Sequence, residues 1–144
     1  MNRYFFFVAS LLLLLSDACK SPDSPNGNPD AHIQLHDIWA LQSMKQKELP
    51  QGVKGRPYLE FHVKDYKLLG NGGCNQLFGN IAFEGKKGLR ISNLGSTKMA
   101  CPEMNMESEF MQLLQNVYGY ELKETSLFLL GKGGEELLKF KKVD

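Results

Sequence analysis

Residues 81–91 read Ile-Ala-Phe-Glu-Gly-Lys-Lys-Gly-Leu-Arg-Ile, and this stretch decides the fold. Ile81 and Phe83 are spaced two apart, and so are Leu89 and Ile91. Between them, Glu84-Gly85-Lys86-Lys87-Gly88 is charged and carries glycine. Alternation at a period of two puts one set of side chains on one face of a strand. A short glycine-bearing loop between two such runs makes an antiparallel hairpin.

The same period extends outward in both directions. Upstream, Leu59, Phe61 and Val63 alternate with Glu60, His62 and Lys64, and Tyr66 to Leu69 follows after a short turn. Further back, Ile33, Leu35, Trp39 and Leu41 share one parity, with Asp37 interrupting. An acidic residue at an inward position predicts a bulge or break near His36-Asp37. Gln42 to Gly55 is polar, contains Pro50, Gly52 and Gly55, and reads as a loop. Downstream, Tyr120 and Leu122, Leu127 to Leu130, and Leu138 and Phe140 form further short strands, the last two joined by Gly131-Lys132-Gly133-Gly134.

One segment departs from this period. Met106, Phe110, Leu113, Leu114 and Val117 recur at helical spacing. Pro102 suits a first helical position, Glu103, Glu107 and Glu109 sit where the helix dipole favours negative charge, and Gly119 suits a stop. The expected fold is therefore mainly β (α+β). It is a small antiparallel barrel of about eight strands, with one α-helix over about residues 102–118 packed on it.

The N-terminus is of a different kind. Arg3 precedes a hydrophobic run of 12 residues, Tyr4 to Leu15. As a helix it would span roughly 18 Å, short of the ~30 Å hydrocarbon core, so residues 1–18 read as a signal peptide. Ser16-Asp17-Ala18-Cys19 resembles a bacterial lipobox, although Asp17 stands where a small residue is usual. Lipidating Cys19 leaves an even pair, Cys74 and Cys101, in an oxidising compartment. Residues 19–30 then form a lipidated cysteine and a tether, and residues 31–144 the domain. The tether, Lys20 to Asp30, holds three prolines and too little apolar surface to offset its chain entropy. The location implied is the cell envelope, at the outer membrane or facing the periplasm.

Composition narrows function. Seventeen basic against 16 acidic residues give a net charge of +1, which argues against a nucleic-acid partner. Three cysteines exclude a four-thiolate zinc site. Cys74 and Cys101 read first as a structural disulfide. The other readings are two buried thiols, or a reactive pair with Cys101 at a helix N-terminus. A bridge across 27 residues would constrain the unfolded chain by ~3–4 kcal/mol. Gly70-Asn71-Gly72-Gly73 lacks the Lys-Ser/Thr end of a phosphate-binding loop and reads as positive-φ or close-approach backbone, with Asn75 satisfying the turn. His32 and His36 fall on one strand face and, with His62, read as isolated surface histidines without a metal. No catalytic set or cofactor motif emerges. Met44, Met99, Met104, Met106 and Met111 read as core filler, with an adaptable partner groove as the functional possibility.

Four pieces together resemble the META domain family, which includes HslJ-type heat-shock lipoproteins. They are Trp39 with Leu41; Gly70-Asn71-Gly72-Gly73-Cys74-Asn75 followed by Phe78-Gly79; Ser96-Thr97-Lys98-Met99-Ala100-Cys101-Pro102; and Glu109-Phe110 with Leu113-Leu114, leading to Tyr120 and Leu127-Phe128-Leu129. The resemblance covers about Ala31 to Val143 and makes Gly72, Gly73, Asn75 and Thr97 structural motif residues. It implies a small barrel crossed by a helix, in an envelope protein without a settled activity. Envelope stress and novobiocin resistance are associated with the HslJ branch. The expectation is a lipid-anchored, non-enzymatic binding or structural module, held to the membrane through its lipid and open to an envelope protein partner. The alternatives are an inhibitor of an envelope hydrolase, presenting Gln42 to Gly55 or the 131–134 turn, and a thiol-dependent enzyme or redox protein using Cys101.

Overall fold

A computed structural model describes residues 28–100 and 105–143. The leader, Cys19, Cys101 and the expected helix start at Pro102 lie outside the described residues. Among the described residues, nine strands form one antiparallel sheet: β1 (Ile38–Met44), β2 (Lys47–Glu48), β3 (Tyr58–His62), β4 (Lys67–Asn71), β5 (Gln76–Glu84), β6 (Gly88–Ser96), β7 (Gly119–Lys123), β8 (Ser126–Leu130) and β9 (Glu136–Lys142). Their order is β2-β1-β3-β4-β5-β6-β7-β8-β9, and β1 also pairs with β9, so the hydrogen bonding returns on itself. The 81–91 hairpin is the β5–β6 turn, with Glu84 opposite Gly88.

Alternation builds the core directly. Trp39, Leu41, Leu59, Phe61, Leu77, Ile81, Phe83, Leu127, Leu129 and Phe140 all point inward and are buried. Each such side chain contributes roughly 1.5–3 kcal/mol. In β9 the parity slips: a bulge between Leu129 and Leu130 lets consecutive Leu137 and Leu138 both face in.

The ring has one thin seam. β6 meets β7 at a single residue pair, Gly88 with Gly119. The helix α1 (Asn105–Gln115) is inserted in the chain between these two strands and packs against β6. Phe110 and Leu114 are fully buried in the core, and Phe110 lies 6.2 Å from Phe140. The helix thus covers an edge that strand pairing leaves open.

Three expectations need correction. Residues Pro29–Leu35 form a 3-10 helix, capped by the Asn28 side chain accepting from the Asp30 N–H at 3.0 Å. His32 and His36 therefore do not share a strand face, and His32 is buried at 2% exposure instead of lying on the surface. The stretch after Gln42 is not all loop. β1 runs on to Met44 and turns into β2, with Arg56 donating to the carbonyls of Leu41 and Pro50 at 2.8 and 3.0 Å. The described helix ends at Gln115, and Gly119 opens β7 instead of stopping it, because Asn116 and Val117 turn on 3-10-type bonds to the Leu113 and Leu114 carbonyls.

Candidate functional site

The turn between β4 and β5 opens with Asn71, whose side-chain oxygen accepts from the Gly73 N–H at 2.7 Å. The Gly72 N–H donates to the Asn75 carbonyl at 2.9 Å, closing the turn. Asn71, and not Asn75, does the work of satisfying this turn through its side chain. Gly73 sits at φ 120°, and Gly72 is required by its neighbour: a Cβ there would lie 2.6 Å from Cγ of Glu107.

Asn75 is freed for another task. It is buried, and its backbone N–H and side-chain NH2 donate to the two carboxylate oxygens of Glu107 at 2.9 and 2.8 Å. Its side-chain oxygen accepts from the Thr97 hydroxyl at 3.0 Å and from the Met99 N–H at 2.7 Å. Thr97 Oγ1 in turn accepts from the Gln76 N–H at 3.1 Å. One asparagine so ties the β4–β5 turn, the segment after β6 and the first turn of α1 together. Gly72, Gly73, Asn75 and Thr97 meet in this knot. Glu107 completes it. At the level of sequence it is one of three early helical acids, and nothing local separates it from Glu103 or Glu109.

A groove of about 470 Å³ opens beside the knot. Ser96, Thr97, Lys98, Met99 and Ala100 form one wall, and Glu107, Ser108 and Met111 the other. A smaller groove of about 160 Å³ lies at the β1–β2 turn, lined by Met44, Leu49, Pro50, Met106 and Glu109. The methionines are thus shared between two grooves on α1, Met99 and Met111 in one, Met44 and Met106 in the other. Met104 lies outside the described residues.

Cys74 is the one cysteine among the described residues, so no disulfide joins two of them. It is not a free thiol. Among the described residues no group of three or more His, Cys, Asp or Glu could hold a metal. Glu135 is occupied by the Gly131–Gly134 turn, accepting from the Gly133 N–H at 2.9 Å.

The histidines serve structure. His32 stacks on Phe83 with centroids 4.0 Å apart and rings 5° from parallel, and its Nδ1 lies 2.7 Å from the Tyr120 hydroxyl. Burial lowers its pKa below the ordinary 6.5, partly opposed by a hydrogen bond to the Gly85 backbone. Burial raises the Tyr120 pKa. His36 Nδ1 accepts from the Val63 N–H at 3.3 Å.

The chain matches the META domain over residues 31–144. It is similar in structure to a protein from Burkholderia xenovorans solved by NMR, at 27% identity and a TM-score of 0.60, covering 86% of this chain and 97% of that one. A DUF4847 family protein from Bacteroides vulgatus shares the fold at 17% identity and a TM-score of 0.56, covering 80% of this chain and 99% of that one. No curated protein matches. The chain belongs to the META domain family.

Proposed function

We propose that this is a lipid-anchored protein of the bacterial envelope that acts as a binding module without catalysis of its own. The observation that carries the reading is the use of the polar groups around α1. Both oxygens of Glu107 and both ends of the Asn75 amide hold backbone and side chains in place, so they build a groove wall and activate no substrate. The groove beside them offers flexible thioethers, which adapt to varied apolar ligands. Anchoring through Cys19 rests on the leader and the proline-rich tether. A Cys74–Cys101 bridge is supported by Asn75, which binds the chain at Met99 and Glu107, on either side of residue 101. The links to envelope stress and novobiocin resistance rest on family resemblance alone.

Photo-methionine incorporated in growing cells tests the groove. Crosslinks at Met99 or Met111 to one partner, lost in Met99→Glu, support the module; crosslinks absent from both positions sink it. A hydrolase and thiol-redox screen covers the enzymatic reading, and turnover lost on changing Cys74 or Cys101 would overturn the proposal. Intact mass with and without reduction reports the acyl chains and the bridge together.

A second reading, an inhibitor of an envelope hydrolase, draws on the β1–β2 turn. Lys45 and Gln46 both hold positive φ, 46° and 65°, at an exposed tip without glycine. Such strain is found where a loop shape serves recognition. Loss of inhibition in a Lys45→Ala variant would identify this surface.

A further inference from the structure

One wall of the groove beside α1 is the main-chain edge of a strand. β6 meets β7 only at Gly88 with Gly119, so the rest of its outer edge has no strand beside it among the described residues. A bulge sets Asn93 and Leu94 opposite Gly79, with Asn93 at φ 50°, and bends β6 before its last residues. Beyond the bulge the main chain alternates. The Thr97 N–H donates to the Gln76 carbonyl at 3.0 Å, and the Met99 N–H to Asn75 Oδ1 at 2.7 Å, both on the side of β5. In an extended chain, successive residues turn their N–H and C=O groups to opposite edges. Those of Ser96 and Lys98 therefore point away from β5, and both residues line the groove. Among the described residues no hydrogen bond reaches these main-chain groups on that side. Across the groove stand Ser108 and Met111 of α1.

We propose that this groove takes up an extended peptide segment of a partner protein, which adds to the outer edge of β6 as a further strand. The proposal deepens the binding-module reading and rests on it. The occupant follows from the chemistry of the edge. Two residues apart, Ser96 and Lys98 offer N–H and C=O groups at a repeat of about 6.7 Å, which another extended main chain matches group for group. The exposed Met99 and the facing Met111 give an apolar side chain of that peptide a place to lie. The size of the site selects a single segment. A groove of about 470 Å³ between strand and helix admits one chain, and α1 stands where the sheet of a second copy would have to come.

Amide hydrogen exchange on the purified protein is the first test. Thr97 and Met99 should be protected, while Ser96 and Lys98 exchange freely. Equal protection at all four would mean an edge already filled and overturns the proposal. A synthetic library of heptapeptides that alternate apolar and polar residues is then screened against the protein. A peptide that binds should slow exchange at Ser96 and Lys98. N-methylation at every second peptide residue should weaken it about tenfold or more, and methylation at the residues between should change little. Lys98→Pro deletes an N–H that bonds nothing within the described fold, and should weaken binding as much, whereas Lys98→Ala should bind as the parent does. Should Lys98→Pro not fold, the methylation pattern of the peptide decides. A library without binders, or binders indifferent to N-methylation, overturns the proposal. So does a dimer that Lys98→Pro splits, which would make the edge a contact between copies. Cellular crosslinks from Met99 without the alternating pattern would leave the binding module standing and remove the added strand.

Discussion

Each end of the sheet buries a titratable group, and the two are kept by opposite means. In the 3-10 helix, His32 lies between an aromatic ring and a phenol, and desolvation lowers its pKa by disfavouring the charged form. Near α1, Glu107 is met by two N–H donors of Asn75, so its burial is matched by hydrogen bonds. A buried polar group survives by shedding its charge or by being fully bonded. The first solution should make stability depend on pH, and the second on the integrity of a small network.

The largest expected break comes at the bonded end. Glu107→Ala leaves the Asn75 N–H and amide without acceptors, and should cost about 3 kcal/mol in urea unfolding. Gly72→Ala drives a Cβ into the Glu107 side chain, and about 1–3 kcal/mol should be lost on the same measurement. Thr97→Val removes two hydrogen bonds at the rim of the knot and should cost about 1–2 kcal/mol.

The histidine end sharpens the contrast by its sign. The folded pKa of His32 lies below 6.5, so between the two values the unfolded chain binds more protons. Its contribution is complete above pH 6.5 and is lost as the pH falls through the folded value. The slope should approach but not exceed about 1.4 kcal/mol per pH unit, and His32→Phe should flatten it. Asp37, whose pKa is lowered first by its hydrogen bond from Lys142, adds its own loss only below its ordinary 3.8, so the two effects separate. The smallest expected effect is a gain. Gln46→Gly relieves a positive φ and should raise stability by about 0.5–1 kcal/mol, read as a shift in denaturation midpoint.

The two ends also differ in how far the sequence reveals them. The β5–β6 hairpin is plain because its alternation is undisturbed and its turn carries glycine. The 3-10 helix is hidden because Ile33 and Leu35 alternate like a strand while His32 and Leu35, three apart, share the buried side. Asn28-Pro29-Asp30, an N-cap followed by proline, was the available signal for it. Gly72, Gly73, Asn75 and Thr97 stand out as a motif, but their partner does not. Glu107 lies 32 residues from Asn75, and only the folded sheet sets the two together. The Lys45-Gln46 turn escapes detection for a simpler reason: neither residue type favours the backbone it adopts.

The pairing of β1 with β9 joins the first strand of the domain to its last. Trp39 lies opposite Lys142, so the wall beside the tryptophan is missing until Lys142 has been made. A nascent chain paused just before Glu136 holds eight strands and an open side, with its widest contact in sequence still unmade. Assembly therefore waits for the synthesis of β9, and clipping that strand would leave an unzipped sheet with a bare edge where a closed ring should stand.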